Sequence, residues 1–249
     1  MSDRETLLTA VLMDPADDTT RLVLADLLRE SDDPELEARG RFLWAGVTAA
    51  QFREHEVIDD PLYYEAQREI TAAASSGLPA RWLAELGPAF HFADSASWMW
   101  DNTLDRVTVR IGSWVGVYAR GMLAELSVSL DEWSSIAAVA LSRWPVDQVS
   151  FADVPGLTFR IEQAGITSRV WRLTGRLRVP ARRVPMAGEG IIPAVVSPFA
   201  FLVEEATAWQ VEERFEDRGA LVTGIAEGFA RLVMELRDIA GDRWPRKTG

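Results

Sequence analysis

Cysteine is absent, lysine occurs once, at Lys247, and histidine only twice, at His55 and His91. A chain without cysteine forms no disulfide, offers no thiol nucleophile and builds no thiolate metal site. No apolar run approaches the roughly 18 residues that cross a bilayer. The polar, acidic start lacks the basic-then-apolar order of a signal peptide, so the expected location is the cytoplasm. The sequence also lacks a His-Glu-x-x-His pair, a P-loop and a dinucleotide fingerprint. Gly112-Ser-Trp-Val-Gly116 places its serine too early for a nucleophile elbow. No catalytic residue, metal or cofactor is therefore expected.

What is present is acidity, unevenly placed. The formal net charge of the 249 residues is -12. Residues 1–60 hold fifteen Asp/Glu against six Arg, a net charge of -9, while residues 160–183 hold seven Arg against Glu162, a net charge of +6. Overall acidity weighs against general affinity for nucleic acid, which needs a surplus of cations to neutralise phosphates. The basic stretch can still meet an acidic surface, within the molecule or on a partner.

Hydrophobic periodicity predicts an α+β protein in three parts: an all-helical N-terminal module, a small mixed sheet with covering helices, and a C-terminal helical hairpin. Residues 1–87 form the acidic helical module. Ser2 with Glu5 is a capping box, Asp18 or Thr19 can cap a second helix, and Asp33-Pro34 and Pro61 open two more. A short fifth helix covers residues 79–86. Residues 88–196 form the mixed region. Strands are expected at 106–111 and 121–130, and Asp131 should cap a helix over 132–143 that ends at Pro145 and returns as a strand over 146–151. Such a crossover makes the two strands parallel. Residues 170–179 alternate again. Residues 197–249 are read as two antiparallel helices, about 198–217 and 220–240, packed on the rest.

The N-terminal pattern resembles the repeat-companion domain multiplied in some planctomycete genomes. The matching pieces are Asp14-Pro, Asp17-Asp-Thr, Arg21-Leu-Val, Ala25-Asp26, Leu27-Leu28, Asp33-Pro34 and Arg39 to Phe42. Where that family usually has aromatic residues around the Ala-Asp step, this chain has Leu24 and Leu27. Residues 120–146 are similar to the segment that often follows this domain, ahead of leucine-rich repeats. The resemblance implies a non-enzymatic accessory role beside interaction repeats.

Among candidate sites, His55 sits in an acidic run and reads as solvated surface, and His91, between Phe90 and Phe92, as a packed or turn residue. Glu204, Glu205, Glu212 and Glu213, placed on the expected helix with Trp209, lack the Glu-x-x-His companions of a di-metal bundle. Trp98, Trp100, Trp114, Trp133, Trp144 and Trp171 mostly fall at expected core positions. The arginine face of residues 170–179 reads first as a solvent-facing strand salt-bridged to the chain's many acids, and it is also the best candidate for contact with an anion or a partner. Arg172, Arg176 and Arg178 should share one row with Arg182 and Arg183 just beyond, and guanidinium groups bind anions bidentately. The expected function is protein–protein docking to a larger partner or assembly. The alternative is a nucleic-acid or ribonucleoprotein-associated subunit.

Overall fold

The computed structural model describes residues 2–52, 59–87, 97–101, 106–164, 170–179, 183–185, 201–203 and 207–245. Its first four helices each begin at a side chain that satisfies an otherwise unpaired backbone N–H, a contribution of about 1 kcal/mol per cap. At α1 (Asp3–Met13), the Ser2 N–H donates to Glu5 Oε2 at 2.8 Å and the Glu5 N–H to Ser2 Oγ at 3.3 Å. Asp17 accepts from the Thr19 N–H to start α2 (Asp18–Arg29), one position earlier than the sequence suggested. Asp33 starts α3 (Pro34–Ala50) and Asp60 starts α4 (Pro61–Ser75), each followed by proline at the first helical position. Gly77, at φ 75°, turns the chain into α5 (Leu78–Ala84).

The rest of the chain builds a larger sheet than the sequence suggested. Its strands are β1 (Ser97–Asp101), β2 (Arg106–Ile111), β3 (Trp114–Ala119) and β4 (Met122–Val128). Helix α6 (Leu130–Arg143) follows, then β5 (Gln148–Phe151), β6 (Leu157–Gln163) and β7 (Trp171–Val179). The short β8 (Arg183–Pro185) and β9 (Phe201–Val203) pair only with each other. β10 (Thr207–Phe215) and α7 (Arg218–Ala240) complete the fold. The main sheet has the order β1-β2-β3-β4-β5-β6-β7-β10. Among the described residues only β4 and β5 are parallel, joined through α6 as a crossover requires. Ser129, not Asp131, caps α6: it forms a reciprocal box with Glu132, leaving Asp131 in the first turn.

The class is α+β, with helices first and a long helix last. The first arm of the expected C-terminal hairpin, however, is a strand over Thr207–Phe215. β10 runs antiparallel to β7 over nine registered residues. Without it, one edge of the arginine-bearing strand would leave its backbone groups unpaired, and that pairing overrides the helical propensity of Glu, Ala and Arg.

One row of inward residues can be followed across all eight strands: Trp98, Val109, Gly116, Leu126, Val149, Phe159, Gly175 and Val211. The helices cover this side. The Tyr118 hydroxyl donates to the Pro79 carbonyl at 2.8 Å, with Phe42 and Trp82 stacked edge-on around it. Farther along, Phe229 of α7 packs on Phe159 at 4.7 Å between ring centres. Buried residues from all three sequence segments belong to a single hydrophobic cluster. Trp114, Trp133, Trp144 and Trp171 are buried in it, but Trp98, on the edge strand, is 42% exposed, with no further strand paired beyond β1 among the described residues.

Candidate interaction face

The opposite side of the sheet stays open. Along its central rows, none of the outward side chains is buried among the described residues. Its two central rows read Arg110, Val115, Ser127, Ser150, Thr158, Arg176, Gln210 and Thr108, Val117, Glu125, Gln148, Arg160, Thr174, Glu212. A third row places Glu162, Arg172 and Arg214 side by side. Arg178 stands opposite Ala208.

The expected arginine row is therefore real over Arg172, Arg176 and Arg178, but its members differ. Arg172 is engaged, at 2.6 Å from Glu162 and 3.6 Å from Glu212. Arg176 donates to Gln210 Oε1 at 3.3 Å and Arg160 to Gln148 Oε1 at 3.3 Å, neither neutralising the cation. Among the described residues, Arg160, Arg176 and Arg178 form no close ion pair, although Arg160 acts on the nearby Asp147, and all three are exposed. Arg214 reaches Glu212 at 2.8 Å, and that hydrogen bond, with Arg172 nearby, holds the Glu212 carboxyl below the usual glutamate range. Arg183 lies in β8, outside the main sheet, so it does not extend the row. Arg182 lies outside the described residues.

Sequence reasoning missed Arg160, Arg214, Gln148 and Gln210. The signal for Arg160 was available as the period-two alternation of residues 157–163, in which Leu157, Phe159 and Ile161 point inward. The glutamates do not gather. Glu212 faces outward and Glu213 inward, and Glu204 and Glu205 lie outside the described residues, as do His55 and His91. Among the described residues no three His, Asp or Glu side chains stand close enough to hold a metal ion.

At one end of the open face, Arg106 and Glu125 form an ion pair. Asp147 stands just before β5, within the influence of Glu125, Arg106, Arg160 and the buried Arg21. Part of Asp147 meets solvent, yet crowding on its other sides, and then the charge of Glu125, push its carboxyl up to about 6. The native state thus holds this proton more tightly than the unfolded chain, whose ordinary value is 3.8. The resulting stabilisation is complete at low pH and is lost as pH rises through that interval. Asp147→Asn is expected to raise the thermal midpoint at pH 7.5 and to leave it unchanged at pH 4. Equal effects at both pH values would show that the carboxylate is unstrained.

The residues that carry the N-terminal resemblance do structural work here. Asp17 and Asp33 cap helices. Arg21, 4% exposed, donates to the Pro15 carbonyl at 2.7 Å and the Arg120 carbonyl at 3.4 Å, tying the α1–α2 loop to the β3–β4 turn. No family model, curated protein or solved structure matches the chain. Among the described residues, no helix is long and apolar enough to cross a membrane.

Proposed function

We propose that the chain is a non-enzymatic docking protein of the cytoplasm, and that its open sheet face receives an acidic surface of a larger partner protein. The observation that carries this reading is the set of exposed guanidiniums of Arg160, Arg176 and Arg178, none in a close ion pair among the described residues, on the broad side of an eight-stranded sheet, in a chain of net charge -12. Their strands are fixed by cross-strand pairing and by the core behind them, so the donors are presented at set spacing with little backbone entropy left to lose. Such charges contribute chiefly to encounter rate and choice of partner. The resemblance of the first fifty residues to an accessory domain points the same way.

Nucleic acid is the weaker reading. Glu162 and Glu212 interrupt the arginines, and Trp171, Phe159, Val211 and Trp209 alternate to the other side of the sheet. The outward rows therefore lack the aromatic platforms on which bases stack.

The test is the triple variant Arg160→Glu/Arg176→Glu/Arg178→Glu, compared with the parent chain for retention of partners from native lysate at roughly 0.1 M salt. Retention is expected to fall by about tenfold or more, with the thermal midpoint nearly unmoved because the sites are exposed. Undiminished retention would remove the face from consideration. Loss confined to nucleic-acid fragments would favour the weaker reading.

A further inference from the structure

On the helix-covered side, well separated from the arginine face in the fold, a cleft of about 470 Å³ opens between α1, α2, α3, α5 and the C-terminal end of α6. Its floor is core surface: Leu24, Leu43, Trp82, Met122 and Trp144 line it, each at most 8% exposed. The size and apolar lining suit a small ligand that buries most of its surface.

The mouth carries charges of both signs, three guanidiniums and two carboxylates. Arg4, Arg39 and Arg143 stand there with Glu5 and Glu85. Arg39 is already committed: it pairs with Glu85 and Glu35, and its guanidinium lies over the Trp82 ring at 5.3 Å. Glu5 accepts the Ser2 N–H in the α1 capping box. Arg4 and Arg143 remain, both exposed and without a carboxylate partner among the described residues. They come from the first turn of α1 and the last residue of α6, so the positive rim is assembled only in the folded chain.

We infer that this cleft binds an amphipathic anion, an aliphatic chain ending in a carboxylate, with the chain against Leu24, Leu43 and Trp144 and the carboxylate between Arg4 and Arg143. Guanidiniums at the rim are suited to a carboxylate, as they present paired N–H donors to its two oxygens. The floor is suited to methylenes, since burial of each contributes about 0.8 kcal/mol. The inference does not rest on the docking role, because the two surfaces share no residue.

The probe is dodecanoate, titrated below its micelle concentration into the full chain by calorimetry, with dodecylammonium as the charge control. Dodecanoate should bind about tenfold or more tightly than dodecylammonium, and Arg4→Glu/Arg143→Glu should weaken it by about the same factor without moving the thermal midpoint. Leu36→Trp, which fills the cleft from its partly buried wall, should block binding of both probes. Equal affinity for the two probes would reduce the site to an indifferent apolar groove. Binding that survives both variants, or no binding of dodecanoate by the parent chain, would likewise overturn the assignment.

Discussion

Replacing Gly46 by alanine is expected to cost about 3 kcal/mol or more of folding stability, although it adds one methyl group. A Cβ at position 46 would lie 2.1 Å from the Gly121 backbone nitrogen and 2.7 Å from the Arg120 carbonyl carbon. Helix α3 crosses the β3–β4 turn at this point with backbone against backbone, and no flexible side chain is there to yield. The turn is equally constrained from its own side. Gly121 has φ 72°, and a Cβ there would meet the Leu43 Cα at 2.4 Å. Arg120 next to it is also held at positive φ, at 49°. Gly77 separates clash from conformation. It has φ 75°, and a Cβ at that position would meet nothing within 4 Å, so Gly77→Ala should cost only the left-handed penalty of about 1 kcal/mol. Urea unfolding of both variants checks the contrast. A Gly46→Ala loss no larger than that of Gly77→Ala would mean that the helix and the turn are not in contact.

Arg218→Met is expected to lose about 2 kcal/mol and Arg218→Ala about 4 kcal/mol, the difference being the cavity left by the aliphatic stem. Arg218 is 3% exposed and has no carboxylate partner among the described residues. Its Nη2 donates to the carbonyls of Leu141 at 3.1 Å and Trp144 at 3.0 Å, and the guanidinium lies 4.7 Å from the centre of the Trp171 ring. The counter-charge is therefore the carbonyl end of α6, whose dipole carries roughly half a negative charge, together with the face of the indole. Burial lowers the group's pKa to about 10, which still leaves it charged at neutral pH. Desolvation opposes the arrangement and sets its limit. If Arg218→Met proved as stable as the parent in denaturant titrations, the hydrogen bonds would only offset the cost of burial.

Much of the helical half was legible because capping is local. Ser2 with Glu5, Asp33-Pro34 and Pro61 act within one turn of their own positions, and the crossover around α6 followed from chain connectivity alone. β3 was missed because Gly116 interrupts its pattern. That glycine is needed where Leu83 and Leu123 approach within 3.0 and 3.1 Å of a Cβ position, a fact of packing that spacing does not carry. β10 was misread because Glu213 occupies an inward position and breaks the apolar alternation. The fold accommodates it through Gly228, whose missing side chain leaves room for the carboxylate, and through Arg231, with which it pairs. The three arginines of β7 could be read from alternation, whereas their split into neutralised and un-neutralised members depends on strands β6 and β10. The cleft was invisible for a related reason: Arg4, Trp82, Met122 and Arg143 meet only after the chain has folded.

The parallel ladder between β4 and β5 is a seam. On one side lies the run of hairpins from β1 to β4, backed by the early helices; on the other, the run from β5 to β10, backed by α6 and α7. The oily recess lies chiefly behind the first half, and the guanidiniums project from the front of the second. A lodger at the back and a visitor at the front would not compete for room.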